Sequence, residues 1–218
     1  MNFPNVLKGL KKIHRSQLLA LITAVLMFVS TILIITAQVD DTAADKSIGT
    51  EAVAAFVLII IAGILAIIAF IMNLSGIISA RKDEPLFGRA LIFTLTGIVS
   101  STLSSILASN TTVSGILSVI SDIAMLFVMI YVIEGIIALA KKLENDAMSE
   151  KGSKLITLIL IGQIPAIAAK AISTIFEGNR TAVITAAAIG LVSAVIDIAV
   201  FFIYFRYLGR SVKMLEEA

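Results

Sequence analysis

Three side chains in this sequence can carry charge where charge is costly: Asp122, Lys170 and Asp197, each inside a long apolar run. The two aspartates have matched surroundings. "GILSVISDIA" (115–124) and "GLVSAVIDIA" (190–199) share Gly, Ser, Asp, Ile and Ala at the same relative positions. Both place Gly, Ser and Asp at i, i+3 and i+7: Gly115, Ser118 and Asp122 in one, Gly190, Ser193 and Asp197 in the other. At 3.6 residues per turn these lie on one helix face. Small residues on such a face let helix backbones approach closely, so the aspartates are expected to point into a bundle and away from lipid.

A counter-charge stands in "GQIPAIAAKAI" (162–172), where Gly162, Ala166 and Lys170 recur four apart and Gln163 adds a polar amide. Pro165 removes one backbone donor and frees the carbonyl of Ile161, so a kink is expected there. Ser101 and Ser105, with Gly97, Ser100 and Ser104, make a hydroxyl-rich stripe on the preceding apolar segment. Together, Asp122, Asp197, Lys170, Gln163, Ser118, Ser193, Ser101 and Ser105 form a candidate site for an ion or small polar solute. A carboxylate there would titrate on loading, and Lys170 would hold the empty carboxylate in its charged form. The opposing reading is that an Asp–Lys pair only fixes helix register.

Depth restricts the pairings. Lys170 lies 16 residues after Lys154, or ~24 Å of helix rise, and Asp122 lies 19 residues before Lys141, or ~28 Å. Asp197 and Gln163 each lie nine residues, or ~14 Å, from Arg206 and Lys154. This pairs Asp122 with Lys170 and Asp197 with Gln163. If the two aspartate stretches are true repeats, however, they belong at one depth. Counting from Arg210 narrows the difference, and Lys170 then serves either aspartate.

What positions these groups follows from composition. Hydrophobic residues are 59% of 218 positions and charged residues 15%, against about half and a quarter in soluble domains. Mean hydropathy is +1.05. Too little polar surface is available to coat a core against water, so lipid is the expected solvent. A membrane-spanning helix needs about 20 mostly apolar residues, and six segments qualify, roughly 17–37, 52–79, 90–109, 112–140, 155–176 and 181–208. The first follows "LKGLKKIHR", but its apolar run is too long for a signal peptide and "TAQVDD" is a poor cleavage site. It reads as a retained span.

The cations sort by side. Of 17 Lys and Arg, fourteen fall before span 1, in "ARKDEPLFGR", in "KKLENDAMSEKGSK" or at the close of the chain from Arg206 on, whereas the alternate loops hold Lys46 and Arg180. Positive-inside sorting then places both termini in the cytoplasm. The expected fold is all-α: a polytopic membrane helix bundle of six transmembrane helices, built as three parallel α-hairpin repeats. It is expected as a single membrane domain over 1–218, with hairpins at about 1–82, 83–148 and 149–218. Span 2 supplies a weaker third copy, "GILAIIAFIM", with Phe70 in place of aspartate.

Several functions are disfavoured. With no cysteine, disulfides, thiolate metal sites and cysteine nucleophiles are excluded. His14, the sole histidine, reads as a juxtamembrane residue rather than a metal ligand because no second imidazole exists to complete a site. No G-x-S-x-G elbow or paired-histidine motif is present. No catalytic residue, metal or cofactor is therefore expected, and the chain is not expected to be an enzyme. Nucleic-acid binding is not expected either, because the basic residues fall in short interface clusters without aromatic platforms. "QVDDTAADKSIGTE", with Asp40, Asp41, Asp45 and Glu51, reads as a solvated connector. "NTT" and "NRT" match the glycosylation pattern, but their loops are too short to lift the asparagine clear of a membrane. Tyr131, Tyr204 and Tyr207 read as interface anchors. The expected setting is the bilayer of a prokaryotic cytoplasmic membrane, with a homo-oligomer or a membrane-protein partner as candidate neighbours. The expected function is transporter-like; the alternative is a non-catalytic structural, assembly or regulatory subunit of a larger membrane complex.

Overall fold

The computed structural model describes residues 3–40, 50–176 and 179–218, and every element among them is an α-helix. In chain order these are α1 (Pro4–Asp40), α2 (Thr50–Ala80), α3 (Leu86–Ile106), α4 (Thr111–Lys142), α5 (Asp146–Ile175) and α6 (Arg180–Glu216). All six are long and apolar enough to cross a membrane. Residues 41–49 of the acidic connector, with Asp41 and Asp45, and residues 177–178 of "EGNR" lie outside the described residues.

Several helices outrun the apolar segments that define them. α1 begins at Pro4 rather than near residue 17, α5 at Asp146 rather than 155, and α6 runs to Glu216 rather than 208. Neither "NVLKGLKKIHRS" nor "SEKGSK" contains a proline, so charged residues continue the helix past the hydrocarbon boundary. Four of the six starts are capped by side chains. Asn110, Asn145 and Asn179 each accept a hydrogen bond from the backbone N–H three residues on, at Val113, Met148 and Ala182. An Asx cap satisfies one of the donors a helix start leaves open. For Asn110 and Asn179 this is the physical meaning of the "NTT" and "NRT" stretches. α1 is capped from a distance: the Asp83 carboxylate accepts from the backbone N–H groups of Asn5 and Val6 and from the Asn5 amide, at 2.8–3.1 Å.

The chain divides into two compact units, one of Met1–Leu10 with Ile77–Ala218, the other of Lys11–Gly76. In the second unit Ala55, Ala62 and Ala69 of α2 recur seven apart and are buried, as is Ser30 of α1. Lys12 Nζ donates to Ser75 Oγ at 2.7 Å. In the first unit α4 packs against α3 and α5, and α5 packs against α6. Short connections between sequential helices give this up-and-down order.

The core of the first unit is concentrated at the end where α3 and α5 begin and α4 and α6 finish, here called the basic end. Phe87, Ile133, Ile136, Leu139, Ile159 and Leu208 are fully buried there. Tyr204 and Tyr207 are 4% exposed, so they are core residues rather than lipid-interface anchors. The Tyr207 hydroxyl donates to the Met148 carbonyl at 3.4 Å. At the far end Ile106 and Ile175 are 70% and 66% exposed. Tight packing depends on missing side chains: a Cβ on Gly135 would stand 2.7 Å from the Phe87 ring. Tyr131 stacks on Phe93, and the Arg89 guanidinium lies 5.8 Å above its ring.

Because Phe87 is enclosed and has no room to swing away, Gly135→Ala should destabilise the bundle by ~1–3 kcal/mol. Gly88→Ala, where an added Cβ meets nothing within 4 Å, should be neutral or slightly stabilising. Thermal unfolding in detergent measures both. Equal losses for the two variants would contradict this packing.

Candidate functional site

α5 is the helix through which the intramembrane polar groups meet. Lys170 Nζ donates to Asp122 Oδ2 of α4 at 2.5 Å. Seven residues earlier, Gln163 Nε2 donates to Asp197 Oδ1 of α6 at 2.7 Å. These are the pairings that depth counting selects. The two aspartates therefore meet α5 at positions ~10 Å apart along its axis, and the four groups do not converge on one point.

Glycines set the approach in both places. On α4, a Cβ at Gly115 would collide with Thr174 of α5, one turn beyond Lys170. On α5, a Cβ at Gly162 would stand 2.9 Å from Ile196 Cγ2 and 3.2 Å from Asp197 Oδ1. Glycine at 162 thus lets α6 come close enough for Asp197 to reach Gln163. Gly190 differs from its counterpart Gly115: an added Cβ there meets nothing within 4 Å. It is not a helix-contact glycine but part of a groove wall. α5 continues through Pro165 as one helical element.

That groove, of ≈ 300 Å³, opens between α5 and α6 and is lined by Ala166, Ala169, Lys170, Ser173, Val183, Ala186, Ala187 and Gly190. Lys170 thus faces two ways, to Asp122 on α4 and to the groove. The ion pair is not sealed: the side chains of Lys170 and Asp122 are 40% and 39% exposed. Such a pair cannot rest against hydrocarbon without cost, since a charged side chain at mid-membrane costs about 3 kcal/mol even on permissive scales.

The serines divide. Ser193 is buried and Ser118 half-buried. Ser101 and Ser105 are exposed, and Ser105 donates to the Ser101 carbonyl of its own helix, so neither is brought to the ion pair. The hydroxyls that join α3 to α4 are others. Ser104 and Ser114 bond to each other's backbone carbonyls and Ser121 donates to the Gly97 carbonyl, all at 2.8–3.1 Å. Sequence reasoning missed Ser114 and Ser121, which sit one helical position off the Gly-Ser-Asp face, and it missed the Ser173 hydroxyl in the groove. It also missed Glu84, buried beside α3 and paired with Lys142 at 2.7 Å. Among the described residues no three His, Asp or Glu side chains gather as metal ligands.

No protein family, curated protein or solved structure matches this chain. Its own geometry must therefore carry the functional reading.

Removing one partner of the α4–α5 pair leaves the other without its counter-group. Asp122→Asn and Lys170→Met should each lower stability by about 3 kcal/mol or less, given the pair's partial exposure. The double variant should recover much of that loss. A double-mutant cycle read by unfolding in lipid-like detergent checks this; strictly additive losses would show that the pair is not coupled.

Proposed function

We propose that this protein is a small transporter-like membrane protein that binds an ion or small solute beside the Asp122–Lys170 pair. The observation that carries this reading is that an intramembrane ion pair stands half-open next to a groove holding Lys170, Ser173 and Gly190. A pair serving only as a rivet is best placed in dry, closed contact. Here a cation or proton arriving at Asp122 competes with the Lys170 ammonium, and an anionic group entering the groove competes with Asp122 for Lys170. Either exchange couples occupancy to the contact between α4 and α5. Asp197, held by Gln163, keeps α6 in place beside the groove. Intramembrane ionisable residues mark such pathways as a rule.

The three hairpins 1–82, 83–148 and 149–218 are proposed as repeats. The clustered cations favour both termini in the cytoplasm of a prokaryotic cell. The chemistry needs no catalytic residue and no cofactor. A specific observation favours a second reading, a subunit of a larger membrane complex. The open far end and the half-exposed pair would both be removed from lipid if a partner helix, or a second copy, lay over the groove. A stoichiometric companion co-purifying from native membranes supports that reading.

Flux in proteoliposomes tests the first. Asp122→Asn should reduce proton, cation or solute uptake at least tenfold. Gly190→Ala, which narrows the groove without steric conflict, should reduce it several-fold while leaving thermal stability within ~0.5 kcal/mol. Unchanged flux in both variants would reject the transport reading.

A further inference from the structure

A second groove lies at the basic end, between the start of α5 and the end of α6. Its volume is ≈ 390 Å³, and its walls carry four cations, Lys151 and Lys154 on α5 and Arg206 and Arg210 on α6. Each pair is three or four residues apart and so presents one helix face. The floor is apolar, made by Leu155, Leu158 and Ile203. Lys154 is paired with Glu150 at 2.7 Å across an exposed turn. Among the described residues, Lys151, Arg206 and Arg210 have no carboxylate within ion-pair distance.

We infer that this groove binds the headgroup of an anionic phospholipid. Topological sorting explains why cations occur at this end, but not why two helices bring four of them around one apolar-floored groove. Two features favour a lipid over a soluble anion. The cations stand where the apolar runs of α5 and α6 stop, the level of a headgroup on whichever side the chain presents. The groove opens onto exposed aliphatic side chain at its own floor, where Ile203 is 47% exposed. An acyl chain can lie there while the phosphate meets the cations. Arginine supplies paired N–H donors suited to phosphate oxygens, and the lysines add flexible charge. Basic pockets between membrane helices are suited to such headgroups. The inference is independent of transport, because it uses neither Asp122 nor Lys170.

The test uses the full chain purified into phosphatidylcholine nanodiscs. Phosphatidylglycerol or cardiolipin is titrated in, and retained lipid is counted by native mass spectrometry with thermal stabilisation read in parallel. The wild type should retain and be stabilised by the anionic lipid but not by added phosphatidylcholine. With each cation near the surface contributing roughly tenfold or less, Arg206→Gln/Arg210→Gln should weaken retention about 10- to 100-fold. Lys151→Gln/Lys154→Gln, at exposed positions, provides the same readout if the arginine variant does not fold. Arg81→Gln/Lys82→Gln, an equal charge loss in the α2–α3 turn, should leave retention unchanged. Equal retention by wild type and groove variants, or an equal loss in the turn variant, would overturn the inference. So would stabilisation by inorganic phosphate matching that by the lipid, which would assign the groove to a soluble anion.

Discussion

A polar side chain within a lipid-facing helix has no water to fall back on, so it must find its partner in the protein. That constraint organises the α3–α6 unit. Several hydroxyls solve it locally, by donating to a carbonyl a turn back along their own helix, as Thr94 does to Ala90 and Thr174 to Lys170. Among the described residues no buried side-chain nitrogen or oxygen lacks a partner. Carboxylates, ammoniums and amides have no such local solution and must reach across. α5 supplies both crossings, Lys170 to α4 and Gln163 to α6, and so sets the register of three helices.

The same unit is unevenly packed. At the basic end aromatic and aliphatic residues close around Gly135 and Gly152, and Tyr204 and Tyr207 are drawn inward. Towards the far end small residues leave a groove and a half-open ion pair. One helix bundle thus has a tightly packed end and a loosely packed one. Local stability in proteins is distributed this way where binding requires movement.

Much of this was legible in the sequence, and the parts that were not have physical reasons. The six helices follow from apolar run length. Counting rise between charged markers pairs Asp122 with Lys170 and Asp197 with Gln163, but two repeats at one depth left Lys170 open to either aspartate, and only the helix packing decides between them. Helix ends were not marked by the apolar spans, because hydropathy reports where hydrocarbon stops, whereas α1, α5 and α6 continue as charged helix beyond it. Asn110 and Asn179 fit a modification pattern, yet their position just before an apolar run was the capping signal. Matching residue types could not separate Gly115 from Gly190, because only the neighbouring helix decides whether a small residue is a contact or a gap. Ser101 and Ser105 were assigned by type and spacing, whereas Ser114 and Ser121 are the residues whose direction brings them to α3.

The central claim is that water or solute reaches the Lys170 groove from outside the bilayer. The chain contains no cysteine, so one introduced thiol reports on its own position. Gly190→Cys, set in the groove wall with space around it, should react in sealed vesicles with a membrane-impermeant thiol reagent. Its rate should exceed at least tenfold that of Leu191→Cys, whose parent side chain is 72% exposed on the outer surface of α6. If the two cysteines are equally protected, the groove is filled by lipid or closed by a partner, and the account of a water-accessible ion pair is contradicted.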